Sequence, residues 1–223
     1  MKKVIGVIVL TLPLLFFSMA SAEEKPAFNV GIKSWYNSWE SGSVKSDPIL
    51  MMGPSITLKL DKFFAGISYL TSLADYEFSD VLLSGDKLTG KRNDLDLVVG
   101  YMFHPRVGIV GGYKHISGDF TYTWAGFEGD AEMTVSGPVL GVTANYPIEN
   151  TPAVLFGNLT YLSGEAEFTG GGGSITEDAS GTTLDLGVAY SVSERTSVNL
   201  GYKHQDFEGD IFSGFTFGIN FAF

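Results

Sequence analysis

The 223-residue chain has no cysteine and only three histidines. That excludes disulfides and a lipoprotein anchor acylated on cysteine, and it argues against a transition-metal centre. Cations are also scarce. Fourteen lysines and arginines stand against 25 acidic residues, a formal net charge of −11. A surface this acidic argues against nucleic acid as a partner. Beyond the N-terminal segment no apolar run reaches the ~18 residues that a spanning helix needs. If the rest of the chain enters a membrane, it must do so as a closed barrel, because lipid cannot satisfy the backbone groups of an open sheet. No motif implies a cofactor.

What is present begins with a short positive start, Met1-Lys2-Lys3, and a nearly continuous apolar run from Val4 to Met19. Ala20-Ser21-Ala22 then offers a small-x-small cleavage site ahead of Glu23-Glu24. Residues 1–22 read as a cleaved secretory signal peptide. A membrane-anchor helix fits less well, because Gly6, Thr11, Pro13 and Ser18 interrupt the run. Cleavage leaves 12 basic and 25 acidic residues, a charge of −13. Residues 23–223 are expected to form one domain.

That domain alternates large apolar residues with small or polar ones in about ten segments. They run from about Phe28, Leu50, Phe63, Leu95, Val107, Leu140, Leu155, Leu184, Val198 and Phe215. A period of two marks strands with one apolar face. Short connections follow the even-numbered segments, at Asp61-Lys62, His104-Pro105-Arg106, Pro147 to Pro152 and Val192 to Arg195. The long ones, residues 40–49, 75–93, 117–132, 163–180 and 206–213, follow the odd-numbered segments. Short periplasmic turns and long outer loops are the asymmetry of a transmembrane barrel. The reading is all-β: a closed antiparallel up-and-down transmembrane β-barrel of ten strands, with eight strands and long outer hairpins as the alternative.

The aromatics follow strand direction. Tyr69, Tyr113, Tyr161 and Tyr202 fall toward the outer ends of rising strands, and Tyr101, Tyr146, Tyr190 and Phe223 toward the periplasmic ends of falling ones. Two aromatic belts, one at each interface, are expected. The last strand carries Phe215, Phe217, Ile219, Phe221 and a terminal Phe223. This ending resembles the C-terminal signature of bacterial outer-membrane β-barrels, which the barrel assembly machinery reads. The mature chain as a whole is similar to the small outer-membrane β-barrel superfamily, which includes adhesin-like barrels, narrow channels and a few lipid-modifying enzymes. The resemblance implies the bacterial outer membrane as location, with its lipid and lipopolysaccharide as surroundings.

Strand parity sends Lys33, Lys59, Asp94, Asp96, Lys114, Asp185 and Lys203 into the lumen. Charges in a narrow lumen are expected to pair, since an unpaired one is costly there. Ten strands leave little more room than side chains fill. An ion-paired plug is therefore the expectation, and a conducting pore with the lysines repelling cations is the alternative.

His115 and Ser117 lie two apart on one strand face, with Glu128 later. A His that deprotonates a Ser, oriented by a carboxylate, is a nucleophile arrangement. Outer-membrane lipid A deacylases resemble this, but Gly118 stands where that family's motif has Asn, and the echo of Gly112-Tyr113-Lys114-His115 at Gly201-Tyr202-Lys203-His204 lacks the Ser. These residues read as an interfacial His and a turn Ser. The acidic stretch Glu128 to Glu132 fits no calcium-loop spacing. Phe120, Tyr122 and Trp124 run at the opposite parity to Tyr113. They point inward over the mouth, or outward past a bulge at Ser117-Gly118, where they would offer a contact surface to an extracellular ligand. The leading expectation is a non-enzymatic barrel with acidic outer loops for surface contact or envelope structure. A narrow passive channel and a lipid A-modifying enzyme follow.

Overall fold

A computed structural model describes residues 26–42, 44–79, 87–124 and 127–223. The signal-peptide reading of residues 1–22 lies outside them. The strands are β1 (Ala27–Ser41), β2 (Val44–Lys45), β3 (Ile49–Leu60), β4 (Phe63–Ser72), β5 (Tyr76–Ser79), β6 (Lys87–His104), β7 (Val107–Trp124), β8 (Phe127–Pro147), β9 (Ala153–Gly170), β10 (Gly173–Ser191), β11 (Thr196–Phe207) and β12 (Asp210–Ala222). Ten of them pair antiparallel in chain order. β12 pairs back onto β1 from Asn29↔Ala222 to Ser41↔Asp210, which closes the barrel. The two short strands are additions, β2 against β1 and β5 against β6. Closure removes both sheet edges from the membrane.

The periplasmic turns fall where the sequence puts them. The strands reach much further on the opposite side. Segments 117–132 and 163–180, expected to be outer loops, are largely strand: β7 and β8 pair up to Trp124↔Phe127, and β9 and β10 up to Gly170↔Gly173. The β9–β10 tip is a two-residue turn at Gly171-Gly172, with φ of 58° and 87°. Positive φ at both central positions is the hairpin geometry that glycine adopts without strain.

These strands were hidden because the apolar phase inverts along them. In β8, Leu140 points out and is 70% exposed, while its neighbour Val139 points in and is 8% exposed. In β9 the same switch separates Tyr161 from Leu162. Below the switch the outer wall is apolar. Above it the interior is apolar, and the outer wall carries Asp119, Asp130, Glu132, Glu165 and Glu167. The pleat is continuous, and only the medium outside it changes from lipid to water.

Inward glycines let aromatic rings lie flat on the wall. Phe120 covers Gly90 across the β6–β7 pair and Gly118 on its own strand, and Tyr122 covers Gly129. Any Cβ at Gly118 would meet Phe120 Cζ at 2.7 Å and Lys91 O at 3.1 Å. Gly118→Val is therefore expected to displace Phe120 and to cost about 1–3 kcal/mol. The midpoint of urea unfolding in detergent checks this. An unchanged midpoint would mean that the ring is free to move.

Candidate functional site

The barrel interior is filled in two tiers. Trp39 is the hub of the outer one. Its ring lies 4.9 Å from Phe78, 5.4 Å from Phe120, 5.2 Å from Phe212 and 6.1 Å from Tyr76, centroid to centroid. These rings come from β1, β5, β7 and β12, so the contacts cross the lumen. Trp39 Nε1 donates to Asp210 Oδ1 at 3.2 Å. Ile116, Met133, Val135, Leu162, Ala166 and Phe207 complete the apolar packing. Burial raises the pKa of Tyr76, so its hydroxyl stays protonated. It donates to Asn37 Oδ1 at 2.6 Å.

Beneath lies a charged tier. Arg92 Nε and Nη2 donate to Asp94 Oδ1 and Oδ2 at 2.6 and 2.8 Å, and Nη2 also donates to Gln205 Oε1 at 2.6 Å. This bidentate fork is the strong form of an Arg–carboxylate contact. The guanidinium also stacks on Phe212, 3.9 Å from its ring centroid. Gln205 Nε2 reaches Thr183 Oγ1 at 3.4 Å. Both Arg92 and Asp94 are about 1% exposed.

Of the expected lumen residues, Asp94 belongs to that tier, and Asp96, Lys114, Asp185 and Lys203 lie next to it on the inward face. Lys114 ion-pairs with Asp96. Lys203 Nζ sits 4.5 Å from the Trp35 ring centroid, a cation–π contact. Asp185 stands beside Lys203 in the β10–β11 register, and its Oδ1 is buried with no hydrogen-bond partner among the described residues. Lys33 and Lys59 are exposed, without ion-pair partners among the described residues.

Sequence reasoning missed Arg92, Gln205, Trp35 and Trp39. From the sequence Arg92 falls in the long connection 75–93. Carrying the alternation back two residues from inward Asp94 puts Arg92 on the same face, and that signal was available.

The catalytic candidates are not brought together. His115 and Ser117 share the outer face of β7, but no hydrogen bond joins them. Ser117 pairs with Thr134, while Glu128 pairs with Thr123. That is six residues further up, or roughly 20 Å at the rise of a strand. The Phe120 ring points inward and is buried, and the register passes Ser117-Gly118 without a bulge.

The aromatic rows lie on the outer wall. Tyr69, Tyr161 and Tyr202 are exposed near one end, and Tyr146, Tyr190 and Phe223 near the other; Tyr113 and Tyr101 are half-buried. Tyr101 packs on Phe63 at 4.8 Å and Tyr202 on Phe215 at 5.7 Å. In the last strand Phe215, Phe217 and Phe221 face outward and exposed, and Ile219 is half-buried beside them. Phe223 closes on β1 through its N–H, which donates to Phe28 O at 2.9 Å.

The family model described as "Outer membrane protein beta-barrel domain" matches residues 8–223. Curated protein sequences give no match. Among solved structures, the outer membrane protease OmpT from Escherichia coli is similar at a TM-score of 0.60 and 14% identity, covering 88% of this chain and 97% of that one. The transport unit of the autotransporter AIDA-I from Escherichia coli aligns at 0.52 and 10% identity, covering 93% and 94%. The translocator domain of the autotransporter NalP from Neisseria meningitidis aligns at 0.51 and 11%, covering 98% and 95%. At these identities the likeness is one of fold.

Proposed function

The chain belongs to the outer-membrane β-barrel family of bacteria, and on that premise we propose that it is a closed, non-enzymatic barrel whose working part is the acidic sheet raised above the membrane. The observation that carries this reading is side-chain packing across the lumen: Trp39 and its rings meet in the outer half, and Arg92, Asp94 and Gln205 are buried and hydrogen-bonded to one another below. A channel would need both tiers to part. An enzyme would need a nucleophile, a base and an orienting group within hydrogen-bond reach, whereas Glu128 stands far from His115 and Ser117. In this reading the tyrosine rows set the barrel's depth between lipid and lipopolysaccharide, and the C-terminal strand is what the assembly machinery recognises.

Proteoliposomes test the closed lumen. Vesicles carrying the protein are expected to swell in an isosmotic solution of a small neutral sugar no faster than protein-free vesicles. Swelling in proportion to the protein added would contradict the reading.

A further inference from the structure

β10 outlasts its neighbour. β11 pairs with it only from Thr182↔Asp206 downward, so residues 173–180 have β9 on one side and, among the described residues, no strand on the other. The orientation of the free groups is fixed at Ser180. Its N–H points away from β9 and donates to Glu208 Oε1 at 3.0 Å, and its hydroxyl donates to the same oxygen at 3.1 Å. Backbone groups alternate sides along a strand. Ser174, Thr176 and Asp178 therefore turn their N–H and C=O outward from the sheet edge.

The two faces beside this edge differ. On the outer face Asp178 stands directly opposite Glu165, Thr176 opposite Glu167, and Glu132 opposite Thr169. Like charges directly across a pair destabilise a sheet. The chain has no lysine or arginine between Lys114 and Arg195, so β8, β9 and β10 supply no cation of their own to relieve them. On the inner face Ile175, 64% exposed, pairs with Phe168, 45% exposed, and Phe168 pairs with Met133, while Glu177 on the same face stands opposite Ala166.

We propose that the edge of residues 173–179 receives an extended segment of another protein as an added strand, with lysine or arginine on one face and apolar side chains on the other. The proposal rests on the contact reading above and names the partner's chemistry. Three kinds of complementarity select it. Main-chain groups supply the pairing, as in other strand additions. The outer carboxylates attract the cations, and Ile175 and Phe168 take the apolar side. A second copy of this chain fits poorly, because two such edges would bring Glu177 and Asp178 of both copies together.

The test uses the refolded mature protein in a non-ionic detergent and a fluorescent ten-residue peptide of alternating lysine and valine, followed by anisotropy. Saturable binding is expected, weakening as salt is raised, with none for a glutamate–valine peptide. Thr176→Pro removes one free N–H without touching a native hydrogen bond, and an edge tolerates proline. It is expected to weaken binding roughly tenfold while the barrel keeps its heat-modifiable migration. Should that variant fail to fold, peptides N-methylated at either alternate set of nitrogens answer against the unaltered protein: one set is expected to lose binding. No binding, or binding indifferent to both Thr176→Pro and N-methylation, overturns the proposal. A barrel that conducts yet binds the peptide loses the closed-lumen reading and keeps this one. A closed barrel that ignores the peptide does the reverse.

Discussion

Arg92→Ala is expected to destabilise the folded barrel by about 3–5 kcal/mol. The side chain is buried and holds Asp94 and Gln205 through three hydrogen bonds. Removing it strands a carboxylate inside the wall, and a buried charge without its partner costs more than the pair ever contributed. The paired replacement Arg92→Met with Asp94→Leu removes both charges and is expected to recover most of the loss. Urea unfolding in lipid vesicles, followed by tryptophan fluorescence, measures both. An Arg92→Ala barrel within about 1 kcal/mol of the unaltered one would mean that water reaches Asp94 and the tier is open.

Trp39→Ala carries the second large effect, also about 3–5 kcal/mol. Its ring touches four others drawn from both sides of the lumen, so the space it leaves cannot collapse by moving one strand. The two tiers are coupled through Phe212, which stacks on Trp39 at 5.2 Å and under the Arg92 guanidinium at 3.9 Å. A double-mutant cycle on Trp39 and Arg92 is therefore expected to show a coupling of about 0.5–3 kcal/mol. Simple additivity would mean that the tiers act independently. Neither single change clears the lumen, since each leaves one tier standing. Together they are expected to open it.

Much of this fold was legible because lipid imposes a strict rule. Wherever the wall faces lipid, every second residue is apolar, and the ten segments and their periplasmic turns could be read directly. The aromatic residues inverted with strand direction for the same reason. Legibility failed where the solvent changed. Above Tyr161 in β9 and above Leu140 in the chain direction of the barrel's outer end in β8, the apolar set moves to the inside, and a reader following the lipid-facing phase sees the pattern stop. The upper halves of β7 to β10 therefore read as loops in the sequence, and Arg92 falls with residues 75–93. Phe120 gave the clue. Its parity opposed that of Tyr113 and no bulge was needed, because an inward ring above the membrane obeys the same burial that sends Tyr113 outward below it. The lumen lysines were assigned by parity from the sequence. Which of them would meet was not, because Asp96 faces Lys114 across β6–β7 and Asp185 faces Lys203 across β10–β11, and that register is not fixed by alternation alone.

Single-channel recording in a planar bilayer tests the closed lumen most directly. The unaltered barrel is expected to insert without unitary current steps, and the Trp39→Ala, Arg92→Ala double variant to show them. Resolved, reproducible steps from the unaltered protein would contradict the account.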